Sequence, residues 1–330
     1  MKKLTAVLLI FSSALLVGAQ AQQATPLTLN KTIPLPGVKG RFDHFAIDVK
    51  GRRLFVAALG NNTLESLDVA NGMRLHTITG LRKPQGVLYL PESNQIVVAS
   101  GDDGTVKFFD GASYALLKSL GSLDDADNVR FDTKAKLIYA GYGDGALAII
   151  ESATQKQVGA IKLKGHPESF QLEKDGNRIF VNVPDAKEIT VVDREKRTVI
   201  ASWPMTKFMA NFPMAFDGAN HRLFIGCRKP ARLVVLDTIS GKIVSDLAIS
   251  GDTDDLFYDA ARKRLCVSCG EGYVDVIDQM GADSYKLRER IPTSPGARTS
   301  FFSLDLNEFY LAVPLRGQQT AEIRVYQVQK

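Results

Sequence analysis

A short apolar segment that recurs seven times limits most strongly how this chain can fold. Its copies are Leu54-Phe55-Val56, Ile96-Val97-Val98, Leu137-Ile138-Tyr139, Ile179-Phe180-Val181, Leu223-Phe224-Ile225, Leu265-Cys266-Val267 and Phe309-Tyr310-Leu311. Successive copies are 42, 41, 42, 44, 42 and 44 residues apart. After the first six, an acidic residue ends a β-branched run, at Asp68, Asp110, Glu151, Asp193, Asp237 and Asp278. A second acidic residue precedes the segment at Asp48, Asp132, Glu173, Asp217, Asp259 and Asp305, with Leu90 in that place in the second repeat. Each period holds four β-type runs. In the first these are Phe45–Val49, Leu54–Ala58, Thr63–Asp68 and Arg74–Thr79. They are separated by Lys50-Gly51-Arg52, Gly60-Asn61-Asn62 and Asn71-Gly72, which tolerate turn geometry. Four strands in about 40–45 residues, with no competing helical period, is the pattern of an all-β propeller and not of a helical solenoid.

The ends of the repeat array predict how the ring closes. The seventh unit runs from Gly296 and stops at Ile323–Val328, which is a third strand. A surplus segment ahead of the first unit, Leu29–Leu35, resembles the fourth strands Val158–Leu163, Ile243–Ile249 and Leu287–Ile291. The expected fold is therefore a seven-bladed β-propeller of four antiparallel strands per blade, its last blade completed by an N-terminal strand. Such closure removes exposed sheet edges.

The run Arg53–Ala57, Leu64–Asp68, Ile78–Gly80 resembles the YVTN-repeat (YncE-like) family of secreted β-propellers. Blade four, with Asp175–Asn182 followed by Ile189–Asp193, is the most similar. The resemblance extends over essentially all of the chain after the leader and implies an exported or surface-associated protein. The motif it rests on is structural and implies a fold more than an activity. The Trp-Asp dipeptide of WD-repeat propellers is missing; Trp203 is the one tryptophan.

The first 21 residues have the form of a signal peptide: Lys2 and Lys3, an apolar stretch from Leu4 to Val17, then Ala19-Gln20-Ala21. The stretch is shorter than the roughly 20 residues of a bilayer span. The expectation is export to the periplasm or beyond, with residues 22–330 forming one propeller domain and no span after cleavage. The net charge of +5 falls to +3 without Lys2 and Lys3, too small to argue for a nucleic-acid partner. Three cysteines leave at least one unpaired, and Cys266 and Cys269 fall on opposite faces of one strand. Cys-x-x-Cys is followed by Gly270 and not His, so no haem is expected, and one tryptophan cannot supply a repeated quinone-docking motif.

A site is expected on the top face, where the turns leading into the innermost strands converge on the central channel. Repeat register puts Asp43, Gln85, Asp127, Glu168, Phe212, Asp254 and Ser300 at the mouth. The next ring is His44, Gly86, Asn128, Ser169, Pro213, Asp255 and Phe301. Asp43, Asp127, Glu168 and Asp254 are the candidate metal ligands. Converging carboxylates call for a cation, basic partners or raised pKa values, and an all-oxygen set suits Ca²⁺ or Mg²⁺. Asx turns that need no ligand are the competing structural account of the same residues. His44 and His166 also lie near the mouth, and ring symmetry predicts that they stand well apart. Sectored charge surrounds the mouth: Asp124, Asp125, Asp252 and Asp254 are acidic, while Lys39, Arg41, Arg82, Lys83, Arg228, Lys229 and Arg232 are basic. The expected function is a monomeric, non-enzymatic module that binds a small polar ligand, a cation or a protein partner. A metal-dependent enzyme of lactonase or lyase type, using Asp43, Glu168, Asp254 and His44, is the alternative.

Overall fold

The structure, a computed structural model, describes residues 25–329, so the leader at 1–21 lies outside the described residues. Twenty-eight strands form seven four-stranded sheets, and each sheet is built from consecutive strands except one. That sheet joins Ser300–Ser303, Glu308–Val313 and Glu322–Val328 to the N-terminal strand Leu27–Pro34. Leu27 pairs with Val328 and Pro34 with Glu322, antiparallel, so the two ends of the chain close the ring. The expected fold and closure are both observed.

The recurring apolar triplet is the second strand of each blade, and both faces of that strand are covered. In blade one Leu54 and Val56 pack towards blade seven, against Tyr310, Ala312 and Ile323. Phe55 and Ala57 point the other way, onto Val87, Ile96 and Val98 of blade two. The core is thus seven interblade layers, one for each seam of the ring. A strand buried on both sides needs apolar residues in succession, which is why the triplet does not alternate. The outer strands are wetter, and all seven outer pairings carry a register shift, for example between Ser66 and Leu67. Bulges of this kind add the extra twist that a radial sheet requires at its rim.

The recurring acids are mostly turn-formers. Asp68 Oδ1 accepts the backbone N–H groups of Ala70 and Asn71, at 2.8 and 2.9 Å. Asp110, Asp193 and Asp237 repeat the arrangement in their own blades. Asp48, Asp132 and Asp259 do the same after the first strand. These are Asx turns, and they take the acids of the repeat out of contention as site residues.

Blade seven corrects the repeat register. Ser303 pairs with Glu308 as Asp48 pairs with Arg53, so Ser303 and not Asp305 ends the first strand. Asp305 belongs to the following turn. The residue equivalent to Asp43 is consequently Arg298, two positions before the expected Ser300, and Thr299 replaces Phe301 in the second ring. The error came from anchoring on an acid that in this blade had moved into the turn.

Candidate functional site

At the mouth, one residue per blade lies just before the first strand, as Asp43, Asp127 and Glu168 do, or at a register shift near its start, as Gln85, Phe212 and Asp254 do. Asp43 N–H donates to Ala57 O, Asp127 N–H to Gly141 O and Glu168 N–H to Asn182 O, which anchors their backbones at equivalent places in three blades. Together with Arg41, His44, Gln85, Asn128, His166, Phe212, Arg228, Asp254 and Arg298 they line a cavity of about 160 Å³. Below it the channel opens into spaces of about 320 and 200 Å³, whose shared walls include Arg130 and Asp255.

Two halves of the mouth differ in how their charge is satisfied. On one side Asp254 is held between two guanidiniums, Arg228 through Nη2 and Arg298 through Nε at 3.1 Å. Arg298 also chelates Asp252 at 2.8 and 3.0 Å, and Arg228 lies over the Phe212 ring at 4.1 Å. On the other side Arg41 reaches Asp43, and the charged neighbours of Asp127 are histidines. Asp127 stands between two imidazoles, with Oδ1 3.7 Å from His44 Nε2 and Oδ2 4.0 Å from His166 Nε2. His44 Nε2 is also 3.6 Å from Asp43 Oδ1, and Asp43 Oδ2 is 3.2 Å from Arg41. His166 Nδ1 is 2.8 Å from Gly143 O, and as that carbonyl can only accept, Nδ1 carries a proton.

Burial and like charge perturb these groups. Burial, then the Asp127 carboxylate, raises the Glu168 carboxyl to about 8. Burial and Asp127 also raise Asp43, against the pull of Arg41. Asp255 is raised by burial and by Asp254, although its Oδ2 accepts the Ser300 N–H at 2.7 Å. Burial lowers His44. For His166 burial acts in the same sense, but the nearby Asp127 carboxylate and the bond to Gly143 outweigh it and raise the ring to about 9. The expected repulsion among carboxylates is therefore relieved in two ways, by arginine partners and by protonation.

Three expectations need correction. His44 and His166 do not stand apart; both face Asp127, which His166 reaches from the loop that joins blades three and four. The four-carboxylate metal set does not assemble, since Asp254 is engaged by Arg228 and Arg298. Among the described residues, the group whose donor atoms lie within one ion's reach is Asp43, His44 and Asp127, all within 4.8 Å. The basic sectors are largely paired: Lys83 with Asp102 at 2.5 Å, Arg232 with Asp246, and Arg228 with Asp254. Gln85 is turned to Asp125 and Ala126, at 3.4 and 3.3 Å, and Asn128 is buried with its side-chain oxygen unbonded.

Sequence reasoning missed Arg130 and Arg298. Arg130 occupies the inward position held elsewhere by Ala46, Leu88, Gln171, Ala215, Phe257 and Phe301, so a cation in an otherwise mostly apolar series was the available signal. Burial lowers its pKa while Asp255 and Asp127 oppose the shift.

Known proteins resemble the chain mainly in fold. No family model matches. A segment of 89 residues is 35% identical to an uncharacterized WD repeat-containing protein of Synechocystis sp.; it spans 27% of this chain and 24% of that relative. A chain of the mitotic checkpoint complex superposes with a TM-score of 0.78 at 13% identity, covering 99% of both chains. The RRP9 WD40 repeats give 0.79 at 8% identity, over 92% of this chain and 100% of that one. Hydrazine synthase of Kuenenia stuttgartiensis gives 0.72 at 15%, over 84% and 95%. The chain has the WD40-like seven-bladed propeller fold, built without a Trp-Asp dipeptide.

Proposed function

We propose that the protein is an exported, monomeric propeller of the YVTN-repeat type that binds a small polar ligand at its top-face mouth without transforming it. The observation that carries this reading is the state of Asp127. The residue is only 9% exposed, and its Oδ1 has no hydrogen-bond partner. A buried acceptor left alone costs about 1–3 kcal/mol, which a ligand bearing a donor or positive charge would recover. The cavity is smaller than the roughly 300–1,000 Å³ of drug-sized sites, so the ligand is small, or is a single side chain of a partner protein. Export is supported by the composition of residues 1–21.

A thermal-shift screen of small amines, amino acids, carboxylates and sugars, run both with and without chelator, tests the reading. A true ligand at 100 times its Kd stabilises by about 2.7 kcal/mol, and Asp127→Asn should remove most of that. A screen with no stabilising compound, or shifts that survive Asp127→Asn, would overturn it. One observation favours the enzymatic alternative of lactonase or lyase type. Glu168 and His166, raised to about 8 and about 9, offer proton donors near neutral pH. Lactone hydrolysis that disappears in Glu168→Gln would shift the assignment to an enzyme.

A further inference from the structure

We propose that Asp43, His44 and Asp127 bind a divalent transition-metal ion, with Zn²⁺ best suited to the donors; this deepens the ligand-binding reading of the mouth and rests on it. His44 Nε2 lies 3.6 Å from Asp43 Oδ1 and 3.7 Å from Asp127 Oδ1. Both separations are too long for hydrogen bonds. They are close to the ~3.3–3.6 Å between donors that share a tetrahedral ion at about 2.0–2.2 Å. The third separation also lies within 4.8 Å, and Asp43 Oδ1 accepts the His44 backbone N–H at 3.1 Å, which holds it beside the imidazole.

Independent support comes from Asp127, whose Oδ1 is buried, unpartnered and turned to the His44 imidazole. Its other oxygen faces His166, and the other oxygen of Asp43 is taken by Arg41. The second ring nitrogen of His44, Nδ1, is 4.0 Å from Asp255 Oδ1, and Asp255 is itself anchored by the Ser300 N–H. Arg41 thus holds Asp43 from outside, while His166 and Asp255 stand 4.0 Å behind Asp127 and His44, where the outer partners of metal ligands are found. One imidazole with two carboxylates suits Zn²⁺ or its neighbours, whereas Ca²⁺ and Mg²⁺ take all-oxygen sets. Three protein donors leave a position open to the mouth cavity, where an oxygen of a small ligand would complete the ion.

The test uses full-length protein stripped by chelator and titrated calorimetrically with Zn²⁺, Mn²⁺, Ca²⁺ and Mg²⁺. One equivalent of Zn²⁺ is expected, with Ca²⁺ and Mg²⁺ at least about 100-fold weaker. His44→Gln and Asp127→Asn should each weaken Zn²⁺ by at least about 10–100-fold. Glu168→Gln and Asp254→Asn, which a ring of carboxylates would need as ligands, should weaken Zn²⁺ far less than these. Co²⁺ in the wild-type site should give the visible absorption of a nitrogen-ligated ion, which decides the matter even if His44→Gln does not fold. Absence of stoichiometric Zn²⁺, a preference for Ca²⁺ or Mg²⁺, or full affinity in a folded His44→Gln protein overturns the metal site. If Zn²⁺ fails while organic ligands still stabilise in an Asp127-dependent way, only the metal falls. If neither binds, the ligand-binding reading falls with it.

Discussion

Glu168 keeps a proton that an exposed carboxyl would have lost, because its charge would be buried beside that of Asp127. The native state therefore binds this proton between 4.5 and about 8, where the unfolded chain does not. Stability linked to it is complete below 4.5 and is lost as pH rises through about 8. His166, raised from 6.5 to about 9, adds a decline over its own window. Urea titrations in chelator should show stability falling as the solution is made alkaline. Glu168→Gln, which cannot ionise, should fall less steeply and be the more stable protein above pH 8. Identical slopes would mean that Glu168 titrates normally. The thiols are a second case of burial acting on a proton. Cys227, Cys266 and Cys269 are free and buried, and burial raises Cys227 and Cys266 to about 12. A chromogenic disulfide reagent should find no reactive thiol in the native protein at neutral pH and three after unfolding.

Strands differ in how much of the ring depends on them. Leu27–Pro34 is an outer strand by position, yet Ile33 is fully buried between blades seven and one. Ile33→Ala should cost about 2–5 kcal/mol in equilibrium unfolding. Leu29→Ala on the same strand, where the side chain is 51% exposed, should stay within about 0.5 kcal/mol. Phe180 lies in a second strand between Trp203 and Phe216, with ring centroids 5.6 and 5.5 Å away. Phe180→Ala should cost about 3–5 kcal/mol. If Ile33→Ala were as mild as Leu29→Ala, the N-terminal strand would not be clasping the last blade in solution.

For the whole molecule, closure requires that strand to be present but not that it come first in the chain. It lies antiparallel beside Glu322–Val328, with Leu27 opposite Val328. A permuted chain starting at Gly37, with residues 25–36 joined after Gln329 through a short turn, keeps every strand pairing. It should fold and unfold in one transition near that of the parent. The same chain without residues 25–36 should leave one edge of the last blade bare and aggregate or melt much earlier. Equal stability of the two would show that closure contributes little. Among the described residues no helix is long and apolar enough to cross a membrane.

Strand count, turn positions, ring closure and most of the mouth were legible in the residues, because each depends on local alternation, turn chemistry and a period that the chain repeats. The register of blade seven was not, since Asp305 imitated a marker that the pairing of Ser303 with Glu308 places two residues earlier. Nor was the meeting of His44 and His166 at Asp127, or the capture of Asp254 by Arg228 and Arg298. Those contacts join residues from separate stretches of the chain around the mouth, and their distances are set by how tightly the ring closes and which way long side chains turn. Periodicity along a chain determines what each blade is; only the closed ring decides which of their side chains meet.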